Sequence, residues 1–431
     1  MKILNSPLNI ETMGASDNFA HTKVFNDRVY YTTISADNKG VSVASTDING
    51  NDKRHEIPDG IYIKTKINVY GGICFCPTDF GVVFSNSKDG ELYLVNNEGL
   101  KQLTSSQQYN YGDISYNNNL ILFVAEERNG HFPKQHIGQI DLNTNEYNII
   151  DQGADFYHAP QSDTDKTIWL EWNLPHMPWD NSAVIMLENN NKTILSDGIG
   201  HFQPLLNNGN VYYAKDTGEY FNIFKNSQNI FKTDIDFYMP LWVYGMTTYT
   251  VINDTVIACG TENGDWVIGK LSNDGFNKIK TDYVYFDGLT GNDNTVSFVG
   301  RKSNKPSEVV IMNNDKKTII DCGKDLPIND DYISAPKKVN FKNETNDTIY
   351  AYYYAPKNPE YDNTIPPLIV KSHSGPTGQA TTEYNPKIQF WTSRGFAVLD
   401  VNYSGSTGFG SHYRNRLNGR WGEIDVKELE L

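Results

Sequence analysis

GVVFSNSKDGELYLVN, residues 81–96, is an apolar run, a Lys-Asp-Gly turn signal and a second apolar run. Val, Phe, Tyr and Leu suit a pleated, half-buried surface and Asp-Gly suits a tight reversal, so the stretch predicts a β-hairpin. The same unit recurs. Its first run reads RVYYTTI at 28–34, GVVFSN at 81–86, LILFVAEE at 120–127, TIWLEW at 167–172, NVYYAK at 210–215, TVIACG at 255–260 and TVSFVG at 295–300. Second runs are ELYLVN at 91–96, IGQIDL at 137–142, SAVIML at 182–187, FNIF at 221–224, WVIGKL at 266–271 and EVVIMN at 308–313. Equivalent apolar positions near 29, 82, 121, 168, 211, 256 and 296 are spaced by about 40–53 residues, the period of a four-stranded propeller blade. A large β-sandwich would repeat its turns without this longer period. The expectation is a mainly β chain: a segment over 1–14, then a seven-bladed β-propeller over 15–335. Radial stacking of blades leaves few exposed strand edges.

The pattern changes after Pro336. KKVNF (337–341) and TIYAYYYAP (348–356) predict a strand pair; PPLIVKS (366–372) and FAVLDVN (396–402) read as strands buried on both faces. Between them YNPKIQFWTSR (384–394) has helical spacing at Ile388, Trp391 and Thr392, with Gly395 as a C-terminal cap. A further helix is expected from Trp421, with acidic residues near its start. Strand–loop–helix repeated twice is an α/β signature.

Composition narrows the function classes. Aromatics are 13% with 27 Tyr, in keeping with many short strands. A net charge of −15 argues against a nucleic-acid or anionic-membrane partner. No stretch of about 18 apolar residues occurs and the N-terminus lacks an apolar leader core, so a cytoplasmic protein is expected. Cys74, Cys76, Cys259 and Cys322 are expected to be buried or half-buried free thiols. No metal or organic cofactor motif is present.

HSGPTG (373–378), DVNYSGSTGFG (400–410) and YRNRLNGRWGEIDV (413–426) resemble the prolyl oligopeptidase family of serine peptidases, especially its acylaminoacyl-peptidase and dipeptidyl-aminopeptidase members. GADFYHAP (153–160), LEWNLPHMPWD (170–180), HFQPL (201–205) and LWVYGMTTY (241–249) extend the resemblance into the repeat region. It implies a propeller capping an α/β-hydrolase domain, of which 336–431 would be the incomplete N-terminal part. It also implies hydrolysis of short peptides, acylaminoacyl or dipeptidyl, by a Ser-His-Asp triad, with the propeller restricting entry. The chain holds no G-x-S-x-G; the nearest sequence, Gly405-Ser406-Thr407-Gly408, lacks the spacing. In this fold Asp and His follow the Ser, so the whole triad is expected beyond Leu431, and this chain is expected to be truncated and inactive alone. Expected partners are then a short peptide in the intact enzyme, and the missing hydrolase segment or a second copy. The alternative is a non-catalytic propeller binding module with a vestigial hydrolase segment; an esterase or lipase would share the hydrolase core but not usually the propeller.

Individual residues follow from the resemblance. Gly375 N–H is the oxyanion-hole candidate. His373, Ser374, Tyr403 and Ser406 are substrate-binding candidates, with loop anchoring the stronger reading of His373 and a structural turn an equal reading of Tyr403, Ser404 and Ser406. His373-Ser374-Gly375-Pro376 departs from the usual HGGP, and Val69, in Asn68–Ile73, stands where relatives often have Glu. Only one of Glu126 and Glu127 can face inward to hold a substrate's amino terminus. Arg414, Arg416 and Arg420 are expected to be solvated or domain-bridging, and Trp169, Trp172, Trp179, Trp242 and Trp266 to pack the blades.

Overall fold

The seven first runs become the second strands of seven consecutive antiparallel sheets, from Arg28–Ile34 through Gly81–Ser85 and Leu120–Glu127 to Thr295–Arg301. The second runs become third strands, among them Leu92–Asn96 and Gln135–Asp141. These sheets span 20–55, 75–102, 109–152, 156–199, 201–229, 249–278 and 285–322, each with four strands in chain order. The structure, a computed structural model, describes residues 3–11, 19–35, 37–129, 132, 134–163, 165–292, 295–313, 316–362 and 364–431. Part of the 1–14 segment, and the boundary expected at residue 15, therefore lie outside the described residues.

Successive sheets touch through their first strands. Ser115 Oγ donates to the Pro160 carbonyl at 2.6 Å, and Gln203 Nε2 to the Tyr249 carbonyl at 2.6 Å. The seventh sheet meets the first: Thr22 Oγ1 donates to Gly288 O at 2.6 Å and Tyr31 OH to Asp321 Oδ2 at 2.7 Å. Beneath these bonds Phe19, Val29 and Tyr31 pack with Val299, Val309 and Ile311. No strand is exchanged between first and last sheets among the described residues, so side-chain packing and isolated hydrogen bonds join them. The fold is mainly β and propeller-like.

Five first strands carry a β-bulge beside a left-handed residue: His21, Asp113, Ala159, Gln203 and Gly288. A bulge bends its strand and sharpens its twist, which turns these strands toward one another.

The eighth sheet is different. Pro336–Lys342, Thr348–Tyr354 and Ala397–Asn402 pair antiparallel, and Leu368–Ser372 adds parallel to Ala397–Asn402 at the edge. Ala397–Asn402 is buried as expected. Leu368–Ser372 is not: Leu368 and Val370 are 51% and 41% exposed, because the strand has a neighbour on one side only among the described residues. Helix α1, Pro386–Thr392, starts at Asn385, whose side chain accepts from the Lys387 and Ile388 N–H groups, and buries Ile388 and Thr392 against the sheet. Trp391, expected on the same face, is 40% exposed. Helix α2 is Ser411–Asn415 and α3 is Ile424–Glu430, with Asp425 in the first turn of α3.

Cys74, Cys76 and Cys259 are buried free thiols, and burial pushes Cys76 up to about 11. Cys322 departs from expectation: it ends an exposed last strand and is itself exposed.

Candidate functional site

Because Leu368–Ser372 and Ala397–Asn402 run parallel, the loops that leave their C-terminal ends lie side by side, where open α/β sheets place ligands. The two loops are stapled together. Asn402 Oδ1 accepts the Ala380 N–H at 2.7 Å, and Thr407 N donates to Gly378 O at 2.8 Å. His373 stacks on Tyr403, ring centroids 4.4 Å apart and 13° from parallel. Its Nδ1 faces the Ser374 carbonyl at 3.0 Å and its Nε2 lies 2.7 Å from Ser406 Oγ. Burial pushes the His373 imidazole down to about 4, so the ring is neutral at pH 7. The Ser406 hydroxyl donates its one proton to the Tyr403 carbonyl at 2.7 Å, so its oxygen accepts from His373 Nε2, and the single proton of a neutral ring serves either Nε2 or Nδ1 but not both contacts at once.

Ser406 is fully buried and Tyr403 nearly so, whereas His373 is half-buried and Ser374 exposed. Ser404 is buried against α3: its N–H and hydroxyl donate to the two Glu428 oxygens at 2.7 and 2.9 Å. Gly375 is exposed with φ +146°, and a Cβ there would meet Thr377 N at 2.9 Å. Only glycine holds this conformation without strain. Among the described residues no acceptor engages the Gly375 N–H.

The propeller-like part reaches this loop through Trp242. Its indole N–H donates to Thr377 O at 2.6 Å, and its ring packs on Trp179 and edge-on to Tyr70. Trp242 packs against the core as expected, on Trp179, and being half-buried also reaches the junction. Trp169, Trp172 and Trp179 are core residues, and Trp266 packs on Tyr285.

The turn bearing Asn68, Val69 and Tyr70 lies beside Trp242. Asn68 and Val69 both have left-handed φ, +50° and +64°, a rare state for a β-branched residue. Glu126 holds the turn: its carboxylate oxygens accept the Asn68 N–H at 3.1 and 3.0 Å, and Gln135 Nε2 donates to it at 2.6 Å. Of the adjacent pair Glu126 is the buried one and Glu127 the exposed one. Burial raises the Glu126 pKa, and its oxygens accept from the turn and from Gln135.

Arg414 bridges the two parts. Its guanidinium lies 2.9 Å from Asp216 Oδ2, with both side chains under 10% exposed. Ser411 Oγ donates to Asp216 Oδ1 at 2.6 Å, and Gly410 N to Asp236 Oδ2 at 3.0 Å. Arg416 instead reaches the Thr348 carbonyl at 3.3 Å, and Arg420 is exposed. This cluster had no signal in the sequence beyond the arginines themselves, since Asp216 and Asp236 meet residues 410–414 only through contacts 174 to 198 residues apart in the chain.

Burial raises Asp236 from 3.8 to about 6, against the pull of the Phe221 and Gly410 N–H groups. The unfolded chain therefore loses this proton first as pH rises, so the group's contribution to stability falls between pH 4 and 6. The shift corresponds to roughly 3 kcal/mol. The stability of the native chain minus that of Asp236→Asn, from urea unfolding, is expected to fall by about that much from pH 3 to pH 7; a pH-independent difference contradicts the assignment.

Among the described residues no group of three or more His, Cys, Asp or Glu side chains is arranged to hold a metal. No described helix is long and apolar enough to cross a membrane.

The chain is similar to known peptidases in sequence over its C-terminal part and in structure over its whole length. The sequence model of the prolyl oligopeptidase family matches residues 382–430. The chain is similar to dipeptidyl aminopeptidase BIII of Pseudoxanthomonas mexicana, 34% identical over 88 residues, which are 19% of this chain and 13% of that protein. It is also similar to the acylamino-acid-releasing enzyme of Rattus norvegicus, 41% identical over 76 residues, 18% of this chain and 10% of the other. The matches thus take in under a seventh of either relative's length. In structure the chain resembles a puromycin-hydrolyzing peptidase of Mycobacterium tuberculosis, with TM-score 0.91 and 23% identity, covering 100% of this chain and 73% of that one. At that identity the likeness establishes the fold. Over residues 382–430, then, the chain is similar to the prolyl oligopeptidase family.

Proposed function

We propose that this chain supplies a seven-bladed propeller and the first part of the α/β-hydrolase domain, residues 336–431, of a serine-type peptidase that acts on short acylaminoacyl or dipeptidyl substrates in the cytoplasm. The observation that carries the reading is the Gly375 loop. It leaves a strand of the eighth sheet with an exposed, unengaged N–H, held by His373 beneath and Trp242 beside it. Attack on a peptide carbonyl develops negative charge on its oxygen, and a fixed N–H aimed at that oxygen stabilises the transition state; one such donor is worth about 3 kcal/mol of barrier. In this reading Gly375 N–H is one oxyanion donor. His373 is an anchor of the loop rather than a base, because its two nitrogens face the Ser374 carbonyl and the Ser406 hydroxyl and its ring stacks on Tyr403. Ser374, exposed beside Gly375, is the substrate-facing candidate; Tyr403 and Ser406 act through His373. Seven sheets in front of the loop support an entry restricted to short peptides.

Residues 1–431 contain no G-x-S-x-G, and the buried Ser406 hydroxyl is engaged, so the nucleophile is assigned outside this stretch. Treating the 431-residue chain with a fluorophosphonate probe and with an acyl-aminoacyl chromogenic substrate is expected to give no labelled serine and no turnover. Stoichiometric labelling of a serine within the chain overturns that assignment, and Ser374, exposed in the loop, is the first residue to map.

A further inference from the structure

Six cationic side chains line one pocket of a chain whose net charge is −15. The pocket is a cavity of about 350 Å³ between the seventh sheet and the C-terminal unit. One wall is Arg301, Lys302 and Lys305, where the strand Thr295–Arg301 runs into its turn, with Lys324 beyond the sheet's last strand. The facing wall is Lys371 on the edge strand and Lys387 in the first turn of α1. Glu383 is the one carboxylate in the lining.

Part of this charge is neutralised within the protein. Lys302 lies 3.0 Å from both Asp282 and Glu308, Lys371 lies 2.6 Å from Asp400, and Arg301 Nη2 lies 3.3 Å from Asp287. Lys305 and Lys387 are exposed and have no carboxylate partner among the described residues. Two further donors in the wall are unsatisfied. Arg301 Nε and the Tyr384 hydroxyl are both buried without a hydrogen-bond partner. Glu383 Oε2 is 4.0 Å from Arg301 Nε, beyond hydrogen-bond reach. A buried guanidinium N–H and a buried phenol left unpaired are costly, and native structures rarely leave them so without a ligand or water to complete them.

We propose that this pocket binds a phosphate-bearing small molecule. A phosphate chain presents acceptor oxygens on several sides, which suits donors converging from opposite walls, and its charge suits Lys305 and Lys387. The volume is within the range of small-molecule sites and exceeds what a single ion fills. Neither wall forms the pocket alone, so the bound anion ties the seventh sheet to the C-terminal unit. None of its lining residues belongs to the 373–378 or 403–410 loops, so the site is separate from the Gly375 loop and stands whether or not the peptidase reading does.

The test is calorimetric titration of the 431-residue chain with sodium triphosphate and, in a second arm, with ATP, both at constant ionic strength. Saturable binding at one site is expected, together with a rise in melting temperature. Lys305→Glu combined with Lys387→Glu is expected to weaken binding by about tenfold or more, since both attraction and charge sign are lost. Both positions are exposed, so the ligand-free melting temperature should not move. Tyr384→Phe, which removes a donor and no charge, gives an independent second reading and is expected to weaken binding by a smaller factor. Equal affinity in the two arms assigns the phosphate chain alone as the ligand; tighter ATP assigns a nucleotide. Absence of saturable heat in either arm, or an affinity unchanged in the double variant, overturns the proposal.

Discussion

Replacing Arg414 by leucine is expected to cost about 3–5 kcal/mol of stability, read as a fall in the urea midpoint at unchanged slope. The guanidinium is sandwiched near the Phe221 and Tyr238 rings, 5.4 and 5.7 Å from their centroids, and lies 2.9 Å from Asp216. Removing it leaves buried Asp216 with the Ser411 hydroxyl and the Gly218 N–H, both on Oδ1, and takes from Oδ2 its Arg414 partner; it also leaves Asp236 without its nearby positive charge. An uncompensated buried carboxylate is the expensive species; the ion pair itself adds little net stability. The double variant Asp216→Leu, Arg414→Leu should therefore recover a substantial part of the loss. Arg414→Lys should recover less, because an ammonium cannot lie flat between two rings while reaching a carboxylate. A loss under about 1 kcal/mol in Arg414→Leu would show that the two parts of the chain are held together elsewhere.

Gly72→Ala is expected to be the second severe change, at about 3–4 kcal/mol from backbone strain and overpacking together. Gly72 has φ +144°, and a Cβ there would lie 2.2 Å from the Tyr244 carbonyl oxygen and 2.6 Å from its nitrogen. Both atoms belong to backbone already committed: Tyr244 N donates to Gly71 O at 3.1 Å and Ile73 N to Tyr244 O at 2.9 Å. The obstruction cannot rotate away as a side chain would. The same bridge sets the position of the turn carrying Val69 and Tyr70, and through it the Tyr70–Trp242 contact. A folded Gly72→Ala protein should thus also show altered Trp fluorescence. Unchanged thermal and urea midpoints would mean that the 68–73 segment shifts freely and does not brace Trp242.

The sequence was legible where burial is two-sided. The second strand of every sheet was bounded to within two residues, as for RVYYTTI and Arg28–Ile34 or LILFVAEE and Leu120–Glu127. Such strands sit between neighbours within their own sheet and between sheets, so nearly every position is apolar. Fourth strands such as Gly99–Gln102 and Gln228–Asn229 are exposed at every position and carry no periodic signal. First strands failed for another reason. Their bulges at positions such as Asp113 and Gln203 break the alternation, and their polar side chains face other sheets rather than solvent, as Gln203 does toward Tyr249. The third strand of the first sheet, Val41–Asp47, hid because VSVASTD is small and polar although largely buried.

At the candidate site the sequence alone determined the residue types and their order. Gly375 after an apolar strand, and DVNYSGSTGFG after another, sufficed to mark two loops at the end of an α/β unit, because turns and buried strands are written in local composition. Tertiary structure decided everything that depends on partners distant in the chain. It put Ser406 out of reach under His373, committed Glu126 to the Asn68 turn, and brought Trp242 across to Thr377. It also made Arg414 a buried bridge to Asp216, 198 residues away. Local sequence specifies which backbone states are cheap. Which polar groups are desolvated, and what then satisfies them, is set only when the sheets close on one another.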